Sequence, residues 1–325
     1  MRRRAPWRAR VTKAAVCLAA CLTLWHAAWA QAGPKAGDSA LQQVVTHAMA
    51  GRSGTTVVVD VRSGQVLAAY RLDVAARRLA HPGSSIKPFT LLALLEASKV
   101  NAQTTLLCQR KLSLGGHNLD CAHPVTTQPL DPAAALAYSC NSYFTTVATR
   151  LTPKQIRDAL VRDGFSSLTE LAKDEAAGAV ALARTTQQLQ LQAIGEWGIE
   201  VTPLELLRGY RHLAQLSQTG DRERLSPLFD GLAASTEYGW GHPAQPSSSM
   251  KVAGKTGTAS TAEGRWTNAW FAGYAPAAKP EIALVVFLER GHGGSDAARV
   301  AGEIFAAYTN DRANEPNAHN EGVTR

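Results

Sequence analysis

The sequence lacks the compositional biases that mark several classes of protein. Of its 325 residues, 45% are apolar and 18% charged, with 26 glycines and 15 prolines. This composition excludes collagen, coiled coils and largely disordered chains. There is no internal repeat and no His-Glu-x-x-His metal motif, and no apolar run beyond the N-terminal segment approaches membrane-spanning length. What remains is an ordinary globular protein.

The chain also lacks the excess of basic residues that binds nucleic acid. Its formal net charge is +8, but six of its 34 basic residues lie in residues 1–30, which contain no acid. The other 28 basic residues stand against 26 acidic ones. Since a phosphate-binding surface needs far greater asymmetry, we expect no nucleic-acid partner.

The N-terminal segment, residues 1–30, has the pattern of an export signal. A basic stretch ending at Lys13 precedes an apolar run that finishes in Ala28-Trp29-Ala30. This order is typical of a signal peptide cleaved after Ala30. The alternatives are an uncleaved anchor helix and a lipoprotein box ending at Cys21, although the apolar run continues past that cysteine. We expect a periplasmic protein that contacts a membrane only if this segment is retained.

Three cysteines remain after the predicted cleavage: Cys108, Cys121 and Cys140. Cys108 and Cys121 bracket a short segment, and in an oxidising compartment such a pair typically forms a disulfide. We therefore predict a Cys108–Cys121 disulfide with Cys140 free. The alternative is a zinc site that includes His117 and His123. Preferring the disulfide, we expect no metal and no cofactor.

Strand patterns occur near both ends of the chain. Residues 55–61 and 65–71 form a predicted hairpin, and residues 251–259, 267–275 and 281–289 form three further strands. Within the last of these, residues 282–288 are apolar throughout, which predicts a central strand covered on both faces.

Helical patterns fill most of residues 105–235, and an apolar helix is predicted at residues 89–97. We therefore predict an α/β (α+β) fold, with a central antiparallel sheet flanked by helices and an inserted all-helical lobe. The predicted domain covers residues 41–309, preceded by a linker at 31–40 and followed by a disordered tail at 310–325.

Three short motifs occur in order: Ser84-Ser85-Ile86-Lys87, Ser139-Cys140-Asn141 and Lys255-Thr256-Gly257. Each is weak alone, and Ser-x-x-Lys recurs at residues 248–251, before a predicted strand. Ser84 instead opens a predicted helix, where residues i and i+3 share a face.

In that setting Lys87 can reach back to Ser84. A helix N-terminus and burial both favour the neutral form of a lysine, as a base for a serine nucleophile requires. For the bare motif, a capping serine followed by an exposed lysine is the simpler interpretation.

With their flanks, the motifs resemble those of the penicillin-binding transpeptidases. The likeness covers residues 82–89, 131–144, 254–259 and 269–276, and residues 201–206 resemble a segment between the second and third motifs. It extends over about residues 40 to 308. It implies a fold of the β-lactamase/transpeptidase type, with the site where the helical lobe meets the sheet.

The resemblance implies roles for four residues of the first two motifs. Ser84 would attack the carbonyl of a D-Ala-D-Ala peptide, with Lys87 as its base. Ser139 would relay a proton to the leaving amine, and Asn141 would hold Lys87 and bind the substrate amide.

The third motif would bind the substrate. Lys255, Thr256 and Thr258 would hold the terminal carboxylate and tune the proton relay, which makes Lys255 a catalytic residue, and the N–H groups of Ser84 and Thr258 would form an oxyanion hole. Gly257 would let a substrate lie close against the strand.

The function implied is a D,D-transpeptidase or D,D-carboxypeptidase that acts on peptidoglycan stem peptides through a serine acyl-enzyme and binds β-lactams covalently. The alternatives are a serine β-lactamase, as in class D, and a non-catalytic penicillin-sensing module. No Glu-x-x-Leu-Asn pattern is present, and Asn141 stands where the class with a modified lysine usually has valine. We therefore expect a long-lived penicilloyl enzyme. With few residues before Ser84, we also expect a stand-alone catalytic domain.

Overall fold

The computed structural model describes residues 36–247, 250–261 and 264–314. The predicted signal peptide lies outside these residues. The N-terminal part of the described chain supplies one helix, a strand hairpin and a short helix, and a 3₁₀ turn at Gly83–Ile86 then leads into α3. Its elements are α1 (Ala36–Ala48), β1 (Gly54–Asp60), β2 (Val66–Tyr70), α2 (Leu72–Arg77) and α3 (Lys87–Glu96).

The middle of the chain is a helical lobe, in which the strands are only two residues long. Its elements are β3 (Ser113–Leu114), β4 (His117–Asn118), α4 (Pro132–Ala137), α5 (Asn141–Ala148), α6 (Pro153–Arg162), β5 (Ala179–Val180), α7 (Thr186–Ala193), β6 (Ile199–Glu200), α8 (Pro203–Leu216) and α9 (Ser226–Glu237). Helices α6 and α8 each begin with a capping box and a proline in the first turn, which fixes where they start.

The C-terminal part returns to strands and closes with a helix. Its elements are β7 (Ala253–Ser260), β8 (Thr267–Ala275), β9 (Ile282–Leu288) and α10 (Ala298–Asn314), the last preceded by a π turn at Gly293–Ala297. The five long strands form one sheet in the order β2-β1-β9-β8-β7, with every neighbouring pair antiparallel. The predicted sheet from both chain ends is confirmed.

Strand β9 separates two hydrophobic cores, and all seven of its residues are buried. Ala283, Val285 and Phe287 face the core shared with the helical lobe. Leu284 and Val286 face a second core made with α1 and α10. The prediction of a central strand covered on both faces is confirmed.

The terminal helices extend beyond the predicted domain limits. Helix α1 begins at Ala36, inside the predicted linker, and α10 continues to Asn314, past the predicted start of the tail. Residues 310–314, which were predicted to belong to the tail, contain neither glycine nor proline, so polar composition alone does not end a helix that is already packed. Across the described residues, no helix is both long and apolar enough to cross a membrane.

Candidate active site

The first motif lies where the 3₁₀ turn meets α3. Gly83 adopts a left-handed backbone (φ 52°), and a Cβ there would lie 2.6 Å from the carbonyl oxygen of Thr258 in β7. Its N–H donates to Gly195 O (3.2 Å), before β6. Ser84 is thus presented at a tight junction between β7 and the helical lobe.

Lys87 connects the first motif to the second. Its side chain is fully buried, so the exposed lysine of the simpler interpretation is wrong. Its Nζ donates to Asn141 Oδ1 (2.6 Å), Ser139 O (2.7 Å) and Ser139 Oγ (3.2 Å). Burial lowers the pKa of Lys87 to about 8, which is the direction that a catalytic base requires.

The second motif forms the turn between α4 and α5. Ser139 N donates to Leu136 O and Cys140 N to Ala135 O, the paired bonds of a Schellman motif. The left-handed position, usually glycine, is occupied by Ser139 (φ 55°). Such backbone strain is concentrated at functional sites, where the surroundings enforce it. Here the turn directs both Ser139 and Asn141 at Lys87.

The third motif lies on β7, an edge strand of the sheet. Lys255 is fully buried and donates to Thr256 O (3.0 Å). Burial, followed by the charge of Lys87, lowers the pKa of Lys255 well below its usual range. A Cβ on Gly257 would clash with the carbonyl oxygen of Pro82. The structure thus gives a second reason for a glycine here, because the 3₁₀ turn Gly83–Ile86 packs directly against it. This turn holds the predicted nucleophile Ser84 and is called the nucleophile turn below.

The three motifs meet at a cleft of about 850 Å³ between the helical lobe and the edge of the sheet. Lys87 and Lys255 are buried and do not line it. Gly257 packs against the nucleophile turn. The predicted residues that line the cleft are Ser84, Ser139, Asn141, Thr256 and Thr258.

Glu196 also lines the cleft, and the sequence analysis missed it. It follows Gly195, whose carbonyl accepts the hydrogen bond from Gly83, so its backbone lies beside the nucleophile turn. Burial raises the pKa of Glu196, and the charge of Lys87 opposes that shift. A single glutamate between Gly195 and Trp197 carries no motif, so only the folded chain reveals this position.

The outer wall of the cleft comes from segments that no motif indicated. Trp240 lines it although its side chain stays 43% exposed, and His242 and Arg299 lie on the same wall. Trp240 belongs to the turn after α9, whereas Arg299 lies in the first turn of α10. Aromatic and basic side chains therefore line the cleft together with residues of the three motifs.

The predicted Cys108–Cys121 disulfide is wrong, because all three described cysteines are free thiols. Cys121 Sγ instead lies 3.8 Å from Cys140 Sγ, against about 2.05 Å in a disulfide. The Schellman turn brings Cys140 next to Cys121. Proximity along the chain does not indicate this contact. The hydrogen bond between the two sulfurs lowers the pKa of the Cys121 thiol and raises that of Cys140.

One group of described side chains is arranged to hold a metal ion. The ligand atoms of Cys108, Cys121, His123 and Cys140 all lie within 4.8 Å of one another. His117, a ligand in the alternative zinc site, is exposed on β4 and is not part of this group.

The sheet, the helical lobe and the cleft between them together make the fold of penicillin-binding-protein transpeptidases. The chain belongs to the penicillin binding protein transpeptidase domain family, whose sequence profile matches residues 54–309. The resemblance seen in the motifs is therefore confirmed at the level of the family.

Named relatives are similar at low identity. The peptidoglycan D,D-transpeptidase MrdA of Acinetobacter baumannii is 23% identical, covering 86% of this chain and 54% of its own length. The probable peptidoglycan D,D-transpeptidase PenA of Neisseria flavescens is 24% identical, covering 78% of this chain and 73% of its own. The chain thus spans about half the length of MrdA.

Among solved structures, PBP2 of Pseudomonas aeruginosa in complex with WCK 5153 has a TM-score of 0.74 with this chain. It is 22% identical, and the match covers 83% of this chain and 77% of that one. At this identity, the likeness shows the fold.

Proposed function

We propose that this chain is an exported D,D-transpeptidase or D,D-carboxypeptidase that acts on peptidoglycan stem peptides through an acyl-enzyme on Ser84. One observation carries the proposal: the buried Nζ of Lys87 binds both Ser139 and Asn141 beneath a cleft that Ser84 lines. The relatives act in bacterial cell-wall synthesis, which supports a site of action outside the cytoplasm.

In the acylation step, neutral Lys87 accepts the hydroxyl proton of Ser84. The Ser84 oxygen bonds to the carbonyl carbon of the penultimate D-Ala, and the bond to the terminal D-Ala nitrogen breaks. Ser139, hydrogen-bonded to Lys87, returns a proton to that amine. A base with a pKa of about 8 is close to the range that makes proton transfer efficient near neutral pH.

Substrate binding uses the free edge of the sheet. An extended peptide laid along β7 adds a strand and exposes its carboxylate to Thr256 and Thr258. The N–H groups of Ser84 and Thr258 form the oxyanion hole, which is usually the largest electrostatic contribution to such reactions. A β-lactam enters by the same route and acylates the same serine.

Labelling with a fluorescent penicillin tests the nucleophile. The wild type should be labelled, whereas Ser84→Ala should not. Ser248→Ala should be labelled like the wild type, because Ser248 belongs to the second Ser-x-x-Lys sequence, which precedes β7. Ser248 itself lies outside the described residues. Labelling that persists in Ser84→Ala would remove the basis of the proposal.

A second candidate function, hydrolysis of the acyl-enzyme, is favoured by Glu196. Deacylation by water needs a base near the ester, and Glu196 is a cleft carboxylate whose backbone adjoins the nucleophile turn. A raised pKa makes it a stronger base than an ordinary glutamate. Such a base supports hydrolysis of the acyl-enzyme, as in a carboxypeptidase or β-lactamase, alongside transfer of the acyl group to an amine.

The partition of the acyl-enzyme tests this role. With a D-Ala-D-Ala pentapeptide and an amine acceptor, Glu196→Gln should lower the ratio of hydrolysed to transferred product at least about tenfold, within the range of general-base effects. Mass analysis of the products measures the ratio, and nitrocefin turnover after the first equivalent gives the β-lactam counterpart. Glu200→Gln, an exposed change on nearby β6, is the matched control. An unchanged ratio in Glu196→Gln would exclude Glu196 as the base.

A further inference from the structure

The cluster of cysteines beside the second motif has the spacing of metal ligands. Cys121 Sγ and Cys140 Sγ are 3.8 Å apart, and a tetrahedral site with Zn–S bonds of about 2.3 Å separates two sulfurs by about 3.8 Å. The ligand atoms of Cys108 and His123 complete a set of four within 4.8 Å. A structural zinc site has this number of ligands.

His123 is oriented as a ligand. Its ring is 2% exposed, and its Nδ1 lies 2.8 Å from Pro124 O, so Nδ1 carries the proton and donates it there. That tautomer leaves a lone pair on Nε2, which is buried and has no hydrogen-bond partner among the described residues. Histidine ligands characteristically donate their other N–H to a carbonyl in this way.

Backbone N–H groups are placed around all three sulfurs, as they are around metal-bound thiolates, the form of cysteine that binds zinc. Each sulfur accepts one backbone N–H, an arrangement that stabilises negative charge on it. The three bonds are Arg110 N to Cys108 Sγ (3.3 Å), Ser142 N to Cys121 Sγ (3.4 Å) and Tyr143 N to Cys140 Sγ (3.4 Å).

We infer that Cys108, Cys121, His123 and Cys140 form a structural zinc site. Three thiolates and one imidazole are a soft ligand set typical of zinc. Because four protein ligands close the coordination sphere, the site leaves no position for substrate and serves structure instead of chemistry.

The position of Cys140 indicates what the site stabilises. Cys140 lies between Ser139 and Asn141, the two residues that bind Lys87. The other three ligands come from residues 97–131, where regular structure amounts to β3 and β4. Asn141 Nδ2 also donates to Leu119 O (2.9 Å) in that segment. Zinc would therefore join one wall of the cleft to the second motif.

The inference does not depend on the proposed function, and metal content tests it directly. The full chain, purified from the exported fraction without chelator, should contain about one zinc ion per chain by mass spectrometry. After the zinc is removed, added cobalt should bind and produce a thiolate-to-cobalt charge-transfer band in the near ultraviolet. Absence of zinc together with failure to bind added zinc or cobalt under reducing conditions would overturn the inference.

Two histidine variants give a matched comparison. His123→Asn should lower zinc affinity by more than about tenfold, whereas His117→Asn, an exposed change on β4 in the same segment, should retain it. Zinc loss in His117→Asn but not in His123→Asn would contradict the ligand assignment.

If His123→Asn does not fold, chelator competition on the wild type measures the affinity, and alkylation maps the protected thiols. Zinc should protect all three cysteines together. Protection of none of them, or a native Cys121–Cys140 disulfide, would refute the site. Penicillin labelling, recorded separately, would report on the proposed enzyme whichever way the metal result falls.

Discussion

Two lysines lie buried beneath the cleft, and they differ in the number of hydrogen-bond acceptors around their Nζ atoms. Lys87 has three hydrogen-bond acceptors in Ser139 and Asn141. Lys255 has only the neighbouring carbonyl of Thr256 among the described residues. Desolvation lowers the pKa of both, and the charge of Lys87 lowers that of Lys255 further. Mutual repulsion thus favours states in which at least one of the two is neutral.

The pKa of Lys87 predicts how acylation depends on pH. Its protonated form is disfavoured in the fold, with a pKa of about 8, and only the neutral form accepts the Ser84 proton. The rate of penicillin labelling should therefore rise about tenfold per pH unit below 8 and level off above it. Stopped-time labelling between pH 6 and 9.5 measures the profile.

Lys87→Arg is the control for this profile, because a guanidinium stays charged throughout that range. It should label at a small fraction of the wild-type rate at every pH. A wild-type rate that is flat between pH 6 and 8 would contradict Lys87 as the base.

At the scale of elements, the site depends on close backbone packing between β7 and the 3₁₀ turn. Gly83 approaches Thr258, and Gly257 approaches Pro82 and Ser85. These glycines allow the edge strand to lie against the nucleophile turn without side chains between them. The Schellman turn after α4 then places Ser139 and Asn141 from the opposite side.

Gly257→Ala should disrupt this packing without unfolding the protein. The added Cβ would clash with the Pro82 carbonyl and lie 3.1 Å from Ser85 N, so β7 and the turn must separate. Since a shift of about 1 Å at a reacting group costs about 100-fold in rate, penicillin labelling should slow by that order.

Gly220→Ala is the matched control, because a Cβ there meets nothing within 4 Å. It should label like the wild type, and circular dichroism should show the same fold for both variants. Labelling of Gly257→Ala within twofold of the wild type would show that the close approach is dispensable.

In the molecule as a whole, strand β9 packs against both hydrophobic cores and joins them into one unit. Phe287 contacts Trp270 (ring centroids 4.4 Å apart) on the side of the helical lobe, while Val286 packs towards α10. The sheet therefore cannot move relative to either core without exposing apolar surface. The cleft is built at the edge of this body, where β7 has a free side.

Much of this arrangement could be predicted from local pattern. The unbroken apolar run at residues 282–288 indicated a strand covered on both faces, and the apolar pattern at residues 89–97 indicated helix α3. Ser84 was expected to open a helix, and it lies in the 3₁₀ turn that leads directly into α3. The motifs and their flanks indicated the family.

Contacts between distant segments could not be predicted in this way. The prediction paired Cys121 with Cys108 because they are near in sequence, whereas the turn after α4 also brings Cys140 to Cys121 and His123. Glu196 and Trp240 enter the cleft only because Gly195 packs on Gly83 and α9 ends beside the sheet edge.

The strands, the helix that follows Ser84 and the family could be predicted from the sequence, because hydrophobic period and motif spacing are properties of short stretches of chain. Only the tertiary structure decided the ligand cluster, the buried state of Lys87 and Lys255 and the lining of the cleft. The physical reason is that burial and coordination depend on which side chains converge in space. The sequence around a single residue such as Cys140 or Glu196 does not indicate which side chains that residue will contact.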